Sequence, residues 1–169
     1  MSGLPQALVG GLLNPLLTPA HALMLLALAL CVGQRKSGSA ALLIFAVGLA
    51  GGSAAIALAV EAMSARVVLL AVAAALGMMA ATAWAPKLFV WPLAAIAGAT
   101  LALDSPPQAV SIAAAYATLA GTAFGACAML LVLATIAGHA NAGWQRLGLR
   151  ILGSWIAASA ILVLAVQLR

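Results

Sequence analysis

Charged side chains are the scarcest feature of this 169-residue sequence, which has seven Lys or Arg residues and two Asp or Glu residues. Soluble domains carry charge on roughly a quarter of their residues, whereas the charged fraction here is 5%. Hydrophobic residues make up 67% of the chain, and the mean hydropathy is +1.25. This composition excludes a water-soluble fold, which needs a polar surface. We therefore predict an all-α protein whose helices cross a lipid bilayer.

Cysteine pairs and catalytic motifs are also missing. The two cysteines, Cys31 and Cys127, both lie in apolar runs, so no disulfide framework or paired-cysteine metal site is predicted. There is no serine–histidine–acid set, no His-Glu-x-x-His helix and no phosphate-binding loop, and we predict that the chain is not an enzyme. Its cations form no basic patch, which argues against a nucleic-acid partner. Residues 1–19 contain no Lys or Arg, so we expect no cleaved leader.

What the sequence does contain is a series of long apolar runs. A bilayer core needs roughly 20 apolar residues per helix, so the chain has room for about six spans. The predicted spans are 19–33, 39–58, 62–84, 88–103, 108–138 and 149–168. Residues 4–17 are predicted to form an interfacial or re-entrant stretch before the first span. Because no repeat, linker or soluble segment interrupts the series, we predict one compact domain over residues 1–169.

The distribution of cations between alternate loops predicts the orientation. On one side lie Arg35, Lys36, Lys87, Arg146 and Arg150. The other side has only Arg66 and Arg169, together with both acids of the chain. Cytoplasmic loops are enriched in Lys and Arg, so the first side is predicted to be cytoplasmic and both termini to lie outside the cytoplasm.

Two pairs of glycines have the spacing that brings helices into close contact in lipid. Gly48 and Gly52 form one pair, and Gly121 and Gly125 form the other. Small residues four positions apart let two helix backbones approach each other. They predict a compact bundle, and such faces would also serve a homo-oligomer or a larger membrane complex.

Ionisable side chains within apolar segments point to a candidate site. His21 is predicted to be the third residue of a helix that Thr18 caps and Pro19 begins, which places it at a helix mouth open to water. Glu61 and Asp104 are predicted to lie on the same side of the membrane. One imidazole and two carboxylates could bind a divalent cation. Each residue also has a local alternative, namely an interfacial hydrogen bond for His21, a helix N-terminus for Glu61 and a turn for Asp104.

Two motifs resemble the HupE/UreJ family, small membrane proteins that accompany hydrogenase and urease genes. The first motif is Pro15, His21 and the leucine-rich run that ends at Gly33-Gln34. The second is Val60-Glu61-Ala62. Residues 116–131 and the basic segment 146–150 are also similar to the family, in the same order along the chain. Asn14 stands at the position of the first family histidine, and the histidine-rich segment of the family corresponds to residues 97–104, which contain no histidine.

The resemblance implies a protein of the bacterial inner membrane that takes up nickel or delivers it to urease or hydrogenase maturation, as a permease or an accessory factor. It implies a metal site of His21, Glu61 and Asp104, with Asn14 as a neutral oxygen donor. Nickel accepts such nitrogen and oxygen ligands. With a single matched histidine we expect a weakly bound nickel ion and no tightly bound cofactor.

Two other functions remain open from the sequence. The chain could be a structural or accessory subunit that keeps the fold without the metal site and docks into a larger membrane complex through its small-residue helix faces. It could also transport another small neutral or cationic solute along a polar path, whose candidate residues are Thr100, Tyr116, Thr118 and Thr122.

Overall fold

The computed structural model describes residues 3–34, 38–57, 65–105 and 111–168, and within these ranges every regular element is an α-helix. The helices are α1 (Gly3–Leu17), α2 (Pro19–Gly33), α3 (Gly38–Ala57), α4 (Ala65–Thr82), α5 (Lys87–Leu103), α6 (Ile112–Gly138) and α7 (Gly143–Gln167). Four of these described helices, α3, α4, α6 and α7, are long and apolar enough to cross a bilayer, and the bent pair α1–α2 would provide a fifth span. The predicted all-α class is confirmed, whereas the count of six spans stays a prediction.

A sharp bend separates α1 from α2. The two helices meet at 69°, with Thr18 between them in an extended conformation (φ −93°, ψ 110°). Pro19 has no N–H to donate into the preceding turn, and its ring disfavours a helical conformation for the residue before it. The predicted helix start, with Thr18 at the cap position and Pro19 first, is confirmed, although the Thr18 side chain makes no capping hydrogen bond. Residues 4–17, predicted as a separate stretch, are helical.

Helix α2 occupies the centre of the bundle, and most of its residues are buried. The closest helix pairs are arranged around it: α1 with α6, α3 with α5, and α4 with α7. In the first two pairs the contacts fall on the glycines that the sequence singled out. A Cβ atom at Gly48 or Gly52 would collide with the α5 backbone, and one at Gly121 or Gly125 would collide with the α1 backbone. The predicted close approach is therefore confirmed, and it joins helices of the same chain.

The third pair, between α4 and α7, depends on two glycines that the sequence analysis did not single out. A Cβ at Gly77 would lie 2.8 Å from the Ala157 nitrogen, and one at Gly153 would lie 2.7 Å from the Ala81 nitrogen. These two glycines come from different helices, so no small-residue spacing along the chain connects them. Their role follows only from the packing of α4 against α7.

The contacts define two ends of the bundle. At the His21 end, the first turns of α2 and α4 meet the end of α5 through His21, Arg66 and Asp104. At the Arg146 end, the last turns of α2, α4 and α6 meet the beginning of α7. Helix α3 also begins at the Arg146 end, because Ser39 and Gly33 line the same cavity. Helices α2 to α7 therefore alternate in direction.

Two predicted boundaries differ from the structure by more than one residue. Helix α7 begins at Gly143 rather than at residue 149, and its start is stabilised by the Ala142 N–H, which donates to the Gln145 side chain (3.0 Å). Helix α6 begins at Ile112, where the Ser111 hydroxyl accepts from the Ala114 N–H and caps the helix, and its predicted start at residue 108 lies outside the described residues. Helix α4 ends at Thr82 rather than at residue 84. Its predicted start at residue 62 lies outside the described residues.

Candidate functional site

The site is built around a contact between His21 and Asp104 at the His21 end. His21 lies in the first turn of α2, and Asp104 directly follows the last residue of α5. The His21 Nε2 atom is 3.0 Å from the Asp104 Oδ2 atom. An ionised carboxylate can only accept hydrogen bonds, so Nε2–H is the donor. The contact holds α2 against α5 and fixes the orientation of the imidazole.

The second imidazole nitrogen of His21 is buried and has no hydrogen-bond partner among the residues that the structure describes. The whole side chain is only 1% exposed. In the neutral imidazole, an Nε2–H that donates to Asp104 leaves a lone pair on Nδ1. Buried polar atoms are almost always satisfied by protein, water or an ion, so this atom requires an explanation. The prediction of a helix mouth open to water is wrong for His21, because neighbouring helices cover its side chain.

Asn14 joins the same site through the residue that follows Asp104. Its Nδ2 atom donates to the Ser105 Oγ atom (3.0 Å), and its Oδ1 atom accepts from the Thr18 hydroxyl (3.3 Å). The bend between α1 and α2 is therefore tied to the end of α5 at two consecutive residues. This arrangement places an amide oxygen and a hydroxyl near the His21–Asp104 pair.

Arg66 supplies a positive charge near the same Asp104 oxygen that His21 contacts. Its Nε atom is 3.9 Å from the Asp104 Oδ2 atom, and its side chain is 52% exposed. The Arg66 guanidinium partly neutralises the Asp104 carboxylate, which weakens the attraction of this carboxylate for a bound cation. A half-exposed pair at this distance contributes little to stability.

Three of the four predicted site residues are thus brought to one end of the bundle: His21, Asp104 and Asn14. The fourth, Glu61, lies outside the described residues. Among the residues that are described, no three His, Cys, Asp or Glu side chains are close enough to hold a metal ion. The sequence analysis missed Ser105 and the Arg66–Asp104 contact. The only signal for them was that Ser105 adjoins Asp104 and that Arg66 was predicted for the same side.

The polar path of the alternative transport hypothesis takes a different form in the structure. The hydroxyls of Thr100, Thr118 and Thr122 each donate to a carbonyl of their own helix. Tyr116 is 63% exposed. The three threonine hydroxyls are therefore satisfied within their own helices, and among the described residues they form no hydrogen bond to another helix.

Comparisons of this chain with protein-family models, with curated proteins and with solved structures gave no match.

Proposed function

We propose that this chain is a membrane protein with six spans that binds a divalent transition-metal ion at the His21 end, for uptake or for delivery to a metalloenzyme. Because its motifs resemble those of the HupE/UreJ family, the proposed ion is nickel. The proposed recipient is the machinery that matures urease or hydrogenase. The proposed location is the bacterial inner membrane. Both termini are proposed to lie outside the cytoplasm, so the His21 end faces outward.

One observation carries the proposal: a buried imidazole donates one N–H to a carboxylate, and its other nitrogen has no hydrogen-bond partner among the described residues. Histidines that bind metals typically have this arrangement, because the carboxylate fixes the tautomer and raises the basicity of the ligating nitrogen. His21 Nδ1 is then the metal ligand and Asp104 is the residue that orients it. Imidazole suits nickel and other late transition metals.

The other donors suit a weak site. Asn14 provides an amide oxygen that already accepts from Thr18. Glu61 is proposed as a second carboxylate at the same end. The positive charge of Arg66 near Asp104 opposes cation binding. The Arg66 side chain is half exposed, whereas the His21 side chain is buried. A set with a single imidazole lacks the ligands that give tight retention, which fits an ion that is cargo rather than a resident cofactor.

The alternating direction of α2 to α7 supports six crossings. Helices α2 and α5 have 15 and 17 residues, so they are about 22 and 25 Å long at 1.5 Å per residue, somewhat shorter than a bilayer core. Helix α1, continuing from α2 beyond the bend, provides the missing length on the His21 side. Among the described cations, Lys87, Arg146 and Arg150 lie at the Arg146 end and only Arg66 at the other, which favours a cytoplasmic Arg146 end.

A structural or accessory subunit is the second candidate function. The hydrogen bonds of the site favour it because they connect helices without requiring a ligand. The pairs His21–Asp104 and Asn14–Ser105 both connect the α1–α2 bend to the end of α5. Such a network would hold the bundle together without any ligand. Under this function the chain serves a larger complex through its exposed helix faces.

Nickel uptake into proteoliposomes distinguishes the two candidates. Purified protein is reconstituted around a fluorescent chelator, and uptake is compared for the wild type, His21→Gln and His139→Gln. His139 is exposed at the Arg146 end, so its variant controls for the loss of an imidazole. We expect uptake to be lost in His21→Gln and kept in His139→Gln. A folded wild type that moves no nickel, or two variants with equal uptake, would favour the subunit function.

A further inference from the structure

The Arg146 end contains a pocket that none of the functions above uses. Its volume is about 310 Å³, and its polar lining consists of Gln34, Asn141, Arg146 and Arg150. We infer that this basic pocket binds a phosphate group, with Arg146 as the main ligand. The pocket lies at the opposite end of the bundle from His21, so the inference does not depend on metal binding.

Four helices form the basic pocket. Gln34 directly follows α2, Ala83 directly follows α4, and Asn141 lies between α6 and α7. Arg146 and Arg150 lie in the first two turns of α7, four positions apart, so their side chains project from the same face of this helix. The volume is at the lower end of the roughly 300–1,000 Å³ of small-ligand pockets. It therefore suits a group as small as a phosphate.

The charges in this pocket are not balanced. The Arg150 Nε atom donates to the Ala81 carbonyl (2.8 Å), so one of its N–H donors is occupied. The Arg146 guanidinium has no hydrogen-bond or ion-pair partner among the described residues. The described ranges contain one acid, Asp104, and it lies at the His21 end. Like charges four positions apart on a helix repel each other, and a bound anion would offset this repulsion.

The donors of the pocket match a phosphate. A planar guanidinium can donate to two phosphate oxygens at once, and such charge-assisted hydrogen bonds are stronger than neutral ones. The Asn141 side chain lines the same pocket and adds an amide donor. Gln34 instead donates to the Ala80 carbonyl (3.4 Å). Arg146 is exposed, so a phosphate reaches it without any movement of the helices.

Two exposed tryptophans indicate that the pocket lies at the level of lipid headgroups. Trp84 directly follows Ala83, which lines the pocket, and Trp144 lies in the first turn of α7, two positions before Arg146. Tryptophan is enriched at the interface between membrane and water. Basic pockets between membrane helices bind anionic headgroups at this level. An anionic phospholipid and a free phosphate ion both carry the required group, and the experiment separates these two sources.

Native mass spectrometry of the full chain in detergent tests the site by titration with phosphatidylglycerol. We expect one phosphatidylglycerol to be retained and the zwitterionic phosphatidylcholine to be retained less. Arg146→Gln should weaken the retention of phosphatidylglycerol about tenfold, which corresponds to the loss of a charge-assisted hydrogen bond. Lys87→Gln is the control, because it removes a cation of the same end that does not line the pocket. It should leave the retention unchanged.

Two variants of one residue separate the effect of charge from the effect of shape. Ala140 lines the pocket and follows the end of α6. Ala140→Glu and Ala140→Gln fill nearly the same space, but only the first adds a carboxylate that can pair with Arg146. We expect Ala140→Glu to lose phosphatidylglycerol and Ala140→Gln to keep most of it. Circular dichroism checks that both variants keep the helix content of the wild type.

Competition identifies the source of the phosphate. Inorganic phosphate is added at millimolar concentration to the complex with phosphatidylglycerol, and chloride at the same ionic strength is the comparison. Displacement of the lipid by phosphate but not by chloride would identify the free ion as a ligand of the pocket. Retention of the lipid in both solutions would identify the headgroup as the ligand.

Three results would overturn the proposal. The first is equal retention of phosphatidylglycerol and phosphatidylcholine by the wild type, and the second is equal retention by the two Ala140 variants. The third is unchanged retention in Arg146→Gln together with a lower melting temperature of the lipid-free protein. It would show that Arg146 only offsets the partial negative charges at the ends of α2, α4 and α6.

Discussion

The His21 Nε2 atom and the Asp104 Oδ2 atom lie 3.0 Å apart, although 83 positions separate the two residues in the sequence. The contact connects the start of the central helix α2 to the end of α5. Within the described ranges of the chain, the second nitrogen of this buried imidazole has no hydrogen-bond partner. A histidine held in this way has the geometry of a metal ligand supported by a carboxylate.

Replacement of Asp104 by Asn tests this relationship. The amide keeps the size of the side chain but removes the charge that favours the ligating tautomer of His21. We expect the affinity for nickel to fall roughly 10- to 100-fold, as is usual when such a supporting group is lost. Ser105→Ala, which removes only the hydrogen bond to Asn14, is the control and should change the affinity less. Unchanged affinity in Asp104→Asn would show that the carboxylate does not support a metal ligand.

The close packing of α3 against α5 predicts that substitution of two nearby glycines by alanine has different effects on stability. A Cβ at Gly48 would meet the backbone of Ala95, whereas nothing lies within 4 Å of a Cβ at Gly51. We expect Gly48→Ala to destabilise the protein by about 1–3 kcal/mol, the usual cost of overpacking. Gly51→Ala should have a neutral or slightly stabilising effect. Thermal unfolding in detergent measures both, and equal stability of the two variants would contradict the packing of this helix pair.

The turn after α4 predicts a stabilising substitution. Ala83 has a positive φ of 55°, and the Trp84 N–H donates to the Met79 carbonyl while the Ala83 N–H donates to the Ala80 carbonyl. These two bonds form a Schellman motif, in which glycine is the favoured residue at the left-handed position. Ala83→Gly should therefore stabilise the protein by about 1 kcal/mol. The same substitution at the exposed Ala71, inside α4, should destabilise it by a similar amount. Chemical denaturation in mixed micelles measures the free energy of unfolding of both variants. A change in the same direction for both would contradict the role assigned to Ala83 in this turn.

Reporter fusions test the proposed topology. Six crossings with an outward His21 end predict that a C-terminal alkaline phosphatase is active and that a C-terminal green fluorescent protein is dark. A fusion at Asn141, between α6 and α7, should give the opposite pair of results, because this residue lies at the Arg146 end. A fluorescent C-terminal fusion would contradict this topology, because it would show that the C-terminus and the His21 end face the cytoplasm.

Local features of the fold could be predicted from the sequence because they depend on neighbouring residues. Thr18 before Pro19 predicted the start of α2, and the spacing of Gly48 and Gly52 predicted a close helix contact. The start of α7 was placed too late, because Arg146 was interpreted as part of a loop. The helix begins earlier because Gln145 accepts from the Ala142 N–H and stabilises the first turn.

The candidate site could be predicted only in part. The sequence placed His21 and Asp104 at the same end, because alternate spans begin and end on the same side. It could not give their contact or the burial of His21, since both depend on how α2 packs among helices that are distant in the sequence. For the same reason the contact between Gly77 and Gly153 had no signal in the sequence.

Isothermal titration of the detergent-solubilised chain with nickel tests the central claim most directly. We expect the wild type to purify largely free of metal and to bind nickel weakly. Binding should weaken on acidification, because protons compete with the metal for the imidazole. His21→Gln should abolish binding, and His139→Gln should not. Equal binding by His21→Gln and the wild type, or no binding by a folded wild type at millimolar nickel, would contradict a metal site at His21.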